Sequence, residues 1–164
     1  MLTKPRTALA AGLALTIALA GCGSDDASDP ASADTGEDAP APGTVQVVES
    51  DLGTILVDAE GMTLYLFQAD ADGTSTCYDD CATTWPPLLD DAPAAGEGAD
   101  PALIGTTPRD DGSVQVTYDG QPLYFFAADQ GPGDTEGQGV GDVWFVVDPA
   151  GAAITEKART GPGY

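Results

Sequence analysis

The chain has 164 residues, no histidine, and 27 acidic side chains against 5 basic ones, for a net charge of −22. That composition excludes a Ser-His-Asp or Cys-His catalytic arrangement and a histidine-held zinc or haem. A surface this acidic also repels nucleic acid and anionic lipid headgroups.

The amino terminus reads as an export address. Lys4 and Arg6 precede an apolar run from Ala8 to Ala20, 13 residues long. Such a run suits the core of a signal peptide and is too short to span a bilayer as a mature helix. Leu19-Ala20-Gly21-Cys22 follows at once, a lipobox pattern in which small residues lead to a cysteine that takes a diacylglycerol. Residues 1–21 are expected to be cleaved, leaving Cys22 lipidated and the protein extracytoplasmic, anchored to a bacterial membrane. Two or more acyl chains anchor stably, at ~0.8 kcal/mol for each buried methylene.

Every acidic residue lies after Cys22, where only Arg109, Lys157 and Arg159 oppose them. Residues 22–44 form the next unit. From Gly23 to Gly43 the chain is Ser, Asp, Ala, Pro and Gly, with six acids and no base. A segment of this kind cannot bury enough apolar surface to offset its ordering entropy, so a disordered tether is expected. Stretched out, it would hold the folded part at most ~70 Å from its anchor.

The folded part is expected over residues 45–160. Val45 to Glu49 alternates well enough for a strand, and Thr54 to Ala59 makes a second with Ile55 and Val57 on one face. Glu60-Gly61 predicts a two-residue turn, after which Thr63 to Phe67 returns. Later in the chain Val114, Val116 and Tyr118 share a face, Asp119-Gly120 turns, and Leu123 to Phe126 returns. Pro122 removes a ladder donor and so belongs at an edge or at the wide part of the turn. Long Gly- and Asp-rich loops then lead to Trp85 and Trp144, and Asp90 to Pro101 connects the halves. Ala152 to Thr155 has the makings of a last short strand.

These two halves are copies. Gly61-Met-Thr-Leu-Tyr-Leu-Phe-Gln-Ala-Asp70 returns as Gly120-Gln-Pro-Leu-Tyr-Phe-Phe-Ala-Ala-Asp129, an offset of 59 residues. The same offset carries Gly53 to Gly112, Ile55 to Val114, Val57 to Val116 and Trp85 to Trp144. Repeat 1 runs over about 45–88 and repeat 2 over about 104–147, each ~59 residues from the other. The expected fold is all-β: a single sandwich- or barrel-like domain, monomeric, with the repeats related by a pseudo-twofold axis. No helical periodicity of any length is present.

Several residues carry candidate chemistry. With Cys22 lipidated, Cys77 and Cys81 remain in an oxidising setting, and a disulfide is the default. It closes a short loop and is worth ~2 kcal/mol by loop entropy; the alternative is a redox-active pair. Tyr65, Phe67, Trp85, Tyr124, Phe126 and Trp144 recur in both copies and read as paired core aromatics, or else as an exposed platform for stacking sugars. Asp70 and Asp129 each close a strand and open a loop, which suits a carboxylate that accepts backbone N–H bonds there. Gln68-x-Asp70-x-Asp72-Gly73, with Asp79 beyond, partly resembles a calcium loop but lacks its first aspartate and final glutamate. No residues form a catalytic constellation, no cofactor is implied, and an enzyme is not expected.

At Tyr65-Leu-Phe67-Gln-Ala-Asp70 and Tyr124-Phe-Phe126-Ala-Ala-Asp129 the chain resembles bacterial lipoproteins with a Tyr-x-(Phe/Trp/Tyr)-x-x-Asp motif, also called secreted repeats of unknown function. Ser75-Thr-Cys-Tyr through Cys81 to Trp85-Pro-Pro, and Gly131-Pro-Gly-Asp to Gly139, also look like segments of that family. The resemblance covers nearly all of Val45 to Ile154 and implies no established activity. The leading expectation is a non-catalytic module that binds or scaffolds an envelope protein or glycan through its loop face. An accessory role in envelope redox chemistry through Cys77 and Cys81, and a calcium-dependent binder, are the alternatives.

Overall fold

The computed structural model describes residues 43–156. The expected signal peptide, the lipidation site Cys22, the tether up to residue 42 and the last residues of the tail lie outside the described residues. Seven short strands dominate: β1 Val45–Ser50, β2 Gly53–Asp58, β3 Tyr65–Phe67, β4 Ile104–Pro108, β5 Val114–Tyr118, β6 Gln121–Pro122 and β7 Trp144–Val146. They pair antiparallel as β1-β2, β3-β7 and β4-β5-β6. The protein is all-β and built from two repeats, in small open sheets rather than a closed barrel.

The second hairpin turns as its sequence dictates. Asp119 and Gly120 both have positive φ, 49° and 74°, the backbone demanded by a two-residue turn that follows strand twist. Tyr118 pairs with Gln121 across it. Leu123 N–H donates to Val116, so Pro122 falls between bonded positions, where β5 asks for no donor.

The first hairpin departs from expectation. Its turn is three residues long, because Asp58 N–H donates to the Met62 carbonyl at 2.9 Å and encloses residues 59–61. Asp58 Oδ1 fastens this loop by accepting the amides of Glu60 and Met62, at 2.9 and 2.8 Å. Pairing Glu49 with Thr54 in the first copy and Pro108 with Val114 in the second places one more residue in the second copy's loop. The next turn then gives that residue back.

As a result β2 and β5 correspond at an offset of 60, whereas the strands after the turn correspond at 59. Leu64 N–H bonds Leu56, and Leu123 N–H bonds Val116. The direct equivalences of Ile55 with Val114 and Val57 with Val116 are therefore corrected. Since side chains alternate along a strand, one residue of slip exchanges the faces. Ile55 and Val57 enter one core cluster, while Val116 and Tyr118 enter the other with Leu56. The true counterparts of Ile55 and Val57 are Gln115 and Thr117.

The pseudo-twofold axis passes between two tyrosines. Tyr65 N–H donates to the Tyr124 carbonyl at 2.8 Å, and Tyr124 N–H returns the bond at 2.9 Å. Both core clusters draw on both repeats. One gathers Val45, Leu56, Leu64, Leu66, Leu88, Val116, Tyr118, Leu123 and Val147. The other gathers Tyr65, Tyr124, Trp85, Trp144 and Cys77 around Ile55, Val57 and Val146.

Two further features were not foreseen, and one expected strand is reduced. Asp80–Thr84 forms a short helix, α1, that begins three residues past Cys77 and contains Cys81. The connector between the copies lines β1: Val45 N–H donates to Ala94, Gly96 N–H to Val45 and Val47 N–H to Glu97. At the other end, Val147 bridges Ala153 and Ile154 N–H reaches Val146, so the expected last strand is a bridge only.

Candidate functional site

The motif residues converge across the twofold axis. Tyr65 on β3 and Tyr124 just past β6 are fully buried and face each other across an antiparallel bridge. Because these segments run antiparallel through the axis, each side chain is carried toward the loop that the other repeat opens. Tyr65 Oη donates to Asp129 Oδ2 at 2.6 Å, and Tyr124 Oη donates to Asp70 Oδ2 at 2.5 Å. The tyrosine of each copy thus serves the aspartate of the other.

Each carboxylate also closes its own loop, as expected from its place in the sequence. Asp70 Oδ1 accepts from Thr76 N–H at 2.8 Å and Thr76 Oγ1 at 2.6 Å. Asp129 Oδ1 accepts from Glu136 N–H at 3.0 Å, while Gly137 N–H reaches Tyr65 Oη at 3.3 Å. Burial, reinforced by the bond to Asp129, holds the Tyr65 phenol far above its ordinary range, and Tyr124 is raised likewise by burial and Asp70. Burial also raises the Asp129 carboxyl, against the pull of Tyr65 and the Glu136 amide. A bond to an ionised partner of this kind contributes ~1.5–3 kcal/mol.

The aromatics of the motif stack beneath these bonds. Trp85 and Trp144 lie face to face, with ring centroids 3.9 Å apart and planes 2° from parallel. Phe67 caps Trp144 at 4.2 Å and Phe126 caps Trp85 at 4.3 Å, completing a four-ring column. Tyr65 meets Trp85 edge-on at 5.4 Å, and Tyr124 meets Trp144 edge-on at 5.2 Å. Both indoles are buried, so the column is core rather than an open sugar platform.

Around Asp70 the two repeats cease to match. Arg109, the sole base among the described residues, is 5% exposed. Its Nη1 donates to Ser75 Oγ at 2.5 Å and to Gln115 Oε1 at 2.6 Å, and its Nη2 donates to the Cys77 carbonyl at 2.8 Å. Ser75 Oγ lies 2.7 Å from Tyr124 Oη. Since Tyr124 gives its proton to Asp70, a chain of donors runs from guanidinium through Ser75 and Tyr124 to the carboxylate. The guanidinium also sits 4.4 Å from the centre of the Tyr78 ring. Asp111 approaches Nε at 3.5 Å, but its side chain is 54% exposed and adds little.

The one-residue slip of β5 made this possible, because it puts Gln115 where the first copy has Ile55. Ser75 and Thr76 were read from sequence only as part of a family-like segment, and neither Arg109 nor Gln115 was given a site role. A lone cation in an acid-rich domain was the signal available for Arg109.

Cys77 and Cys81 are joined in a disulfide, Cα atoms 5.2 Å apart. Cys77 is fully buried, and the bridge ties the loop under Arg109 to the start of α1. The calcium candidates are not assembled. Asp70 is turned inward and used by Thr76 and Tyr124, whereas Asp72 and Asp79 are exposed at positive φ, 58° and 53°. Among the described residues no group of three or more carboxylates, cysteines or histidines converges to hold a metal.

Among the described residues the loops leave an open cleft of about 390 Å3 lined by Glu49, Ser50, Asp51, Gly133 and Thr135. It lies between the β1–β2 turn and the loop closed by Asp129.

A family model described as a secreted repeat of unknown function matches residues 46–89 and 105–148. The chain belongs to that family. The two matched stretches are the two structural repeats, each beginning in the first strand of its copy and ending just past its tryptophan. No curated protein and no solved structure matches the chain. For this secreted repeat an extracytoplasmic location follows from the family, and no helix among the described residues is long and apolar enough to cross a membrane.

Proposed function

We propose that this protein is an envelope lipoprotein whose duplicated β-domain binds or scaffolds a partner through its loop face, without catalysis. Cys22 carries the lipid, residues 23–42 carry the domain away from the membrane, and residues 43–156 present the loops. The observation behind this reading is the crossed exchange of Tyr65 with Asp129 and Tyr124 with Asp70. It locks both loops onto one another's strands, so the residues between them are presented in a set geometry. Pre-ordering of this kind lowers the entropy lost on binding. The recess with Glu49, Asp51 and Thr135 is the concave part of that surface, and its acids favour a partner with basic or hydroxyl groups.

Two measurements test the proposal in cells. Cys22→Ser should move the protein from the membrane fraction to the medium or soluble envelope fraction, or leave the precursor uncleaved. Retention in the membrane at the processed size would overturn the anchor. A photo-crosslinking residue at Thr135 should capture one discrete envelope component, and the same residue at the exposed connector position Ala92 should not. Equal labelling from both positions, or none from Thr135, would overturn the loop-face assignment.

A further inference from the structure

The aromatic column and the two buried tyrosine–carboxylate pairs together make an arrangement that packing alone does not require. A core needs apolar area, which Phe or Leu would supply at the tyrosine positions without burying a carboxylate opposite each one. Here both repeats keep a phenol with a carboxylate oxygen 2.5–2.6 Å away. Both phenols touch, edge to face, an indole of a parallel pair 3.9 Å apart. Indole and phenol are among the protein side chains most readily oxidised by one electron without a metal, and the two described cysteines are tied in a disulfide. A parallel overlap at van der Waals distance lets two indoles share a missing electron. A phenol that loses an electron becomes a very strong acid, and a hydrogen-bonded carboxylate takes the proton with almost no atomic movement.

We propose that the Trp85–Trp144 pair accepts a one-electron oxidation from an organic oxygen-centred radical and passes it to Tyr65, with Asp129 taking the proton. The half-buried rings of Phe67 and Phe126 at the ends of the column bring it within tunnelling reach of the surface. The radical, RO•, gains one electron from the indole pair and one proton from solvent to become ROH. The indole cation is refilled by one electron from Tyr65. The phenolic O–H bond breaks and its proton forms a new bond to Asp129 Oδ2. The products are a neutral Tyr65 phenoxyl, a neutral Asp129 acid and ROH, one oxidising equivalent per domain.

Electrostatics select Tyr65 over its twin. The Tyr124 oxygen is hydrogen-bonded to Ser75, which accepts from the Arg109 guanidinium at 2.5 Å. A buried positive charge at that remove opposes loss of an electron from Tyr124. Among the described residues Tyr65 has no such cation. Its surroundings are Asp129, with Asp134 and Glu136 adding negative charge around the pair.

The test uses the mature, disulfide-bonded protein and a photo-oxidised ruthenium polypyridyl complex as the one-electron oxidant. Transient absorption follows the tryptophan radical and the tyrosyl radical, and electron paramagnetic resonance identifies the latter. In the parent, the indole signal should decay as the tyrosyl signal grows. Asp129→Asn, which keeps size and one acceptor but not the basic charge, should slow tyrosyl growth about tenfold or more. Asp70→Asn and Tyr124→Phe should leave that growth within about twofold of the parent. Tyr78→Phe, at a half-exposed tyrosine among the described residues, controls for direct attack from solvent. Growth that is unchanged in Asp129→Asn, or lost in Tyr124→Phe or Tyr78→Phe, would overturn the proposal. Should Asp129→Asn fail to fold, the parent in deuterium oxide decides. Tyrosyl growth must slow there, and an isotope-independent rate sinks the coupled proton step.

Discussion

Tyr65 and Tyr124 bond to each other through their backbones and past each other through their side chains. The amide–carbonyl bonds of 2.8 and 2.9 Å join the two residues, while each hydroxyl continues to the partner repeat's aspartate. Energetic coupling should therefore follow the crossed pairs and not the sequence motif. In a double-mutant cycle measured by urea unfolding, Tyr124→Phe with Asp70→Asn should couple by ~1–3 kcal/mol. Tyr65→Phe with Asp70→Asn, two residues of one motif, should be additive within ~0.5 kcal/mol. Coupling within the motif and none across it would contradict the exchange.

Arg109 holds three acceptors from two parts of the chain: Ser75 and the Cys77 carbonyl in one loop, and Gln115 on β5. A planar fork reaches them together, and an ammonium does not. Arg109→Lys should lower stability by ~1–3 kcal/mol through the acceptors left unmet, with Arg109→Ala at or beyond the top of that range. Thermal or urea unfolding checks both. A lysine variant as stable as the parent would show that charge alone suffices.

Burial raises the Asp129 carboxyl above its ordinary value, so the folded chain holds this proton at a pH where the unfolded chain has released it. The stability this proton carries is complete below the unfolded value, about 4, and is lost as pH rises through the folded value. The parent's stability minus that of Asp129→Asn should accordingly fall as pH rises across that interval and level off above it. Urea midpoints at closely spaced pH values measure the difference. A difference that grows with pH would reverse the sign and the assignment.

Gly137 is a matter of space. A Cβ there would stand 2.8 Å from the Tyr65 ring and 2.9 Å from Trp85. Gly137→Ala should therefore cost ~1–3 kcal/mol and alter tryptophan fluorescence, since neither ring can yield without disturbing the column. Gly131→Ala in the same loop meets nothing within 4 Å and should stay within ~0.5 kcal/mol of the parent.

Reducing the Cys77–Cys81 bridge should cost ~2 kcal/mol, the loop-entropy value for so short a closure. Protection of the Thr76 amide supplies a second readout. If the bridge staples the loop, hydrogen exchange at Thr76, whose amide bonds Asp70, should speed up on reduction. Exchange unchanged after full reduction would leave the bridge without that structural role.

What the sequence made legible was whatever depends on near neighbours. Asp119-Gly120 specified its turn, alternation specified the β5 face, and the recurrence of Tyr65 and Tyr124 marked the axis. The three-residue turn at 59–61 was not legible, because Asp58 supplies the side-chain oxygen that stabilises it and Glu60-Gly61 alone suggested something shorter. With that turn misread, the slip of β5 against β2 was hidden, and so was the polar position at Gln115 that receives Arg109. Asp70 and Asp129 could be read as loop caps from their own segments. Their second bonds come from residues 54 and 64 positions away in the chain, a separation at which only the assembled fold selects partners. The connector lining β1 and the helix at Asp80–Thr84 were equally silent, since each is held by contacts rather than by propensity.

The crossed tyrosines also bear on ancestry. A chain made of one repeat would contain a Tyr and an Asp that do not satisfy each other, because each bond is made across the axis. Such a half-length protein would be complete only as a pair, and dilution would take the pair apart. Joining the two copies in one chain makes the contact independent of concentration. It also frees the copies to diverge, and the arginine, the disulfide and the slipped strand, each found on one side only, are what that freedom left behind.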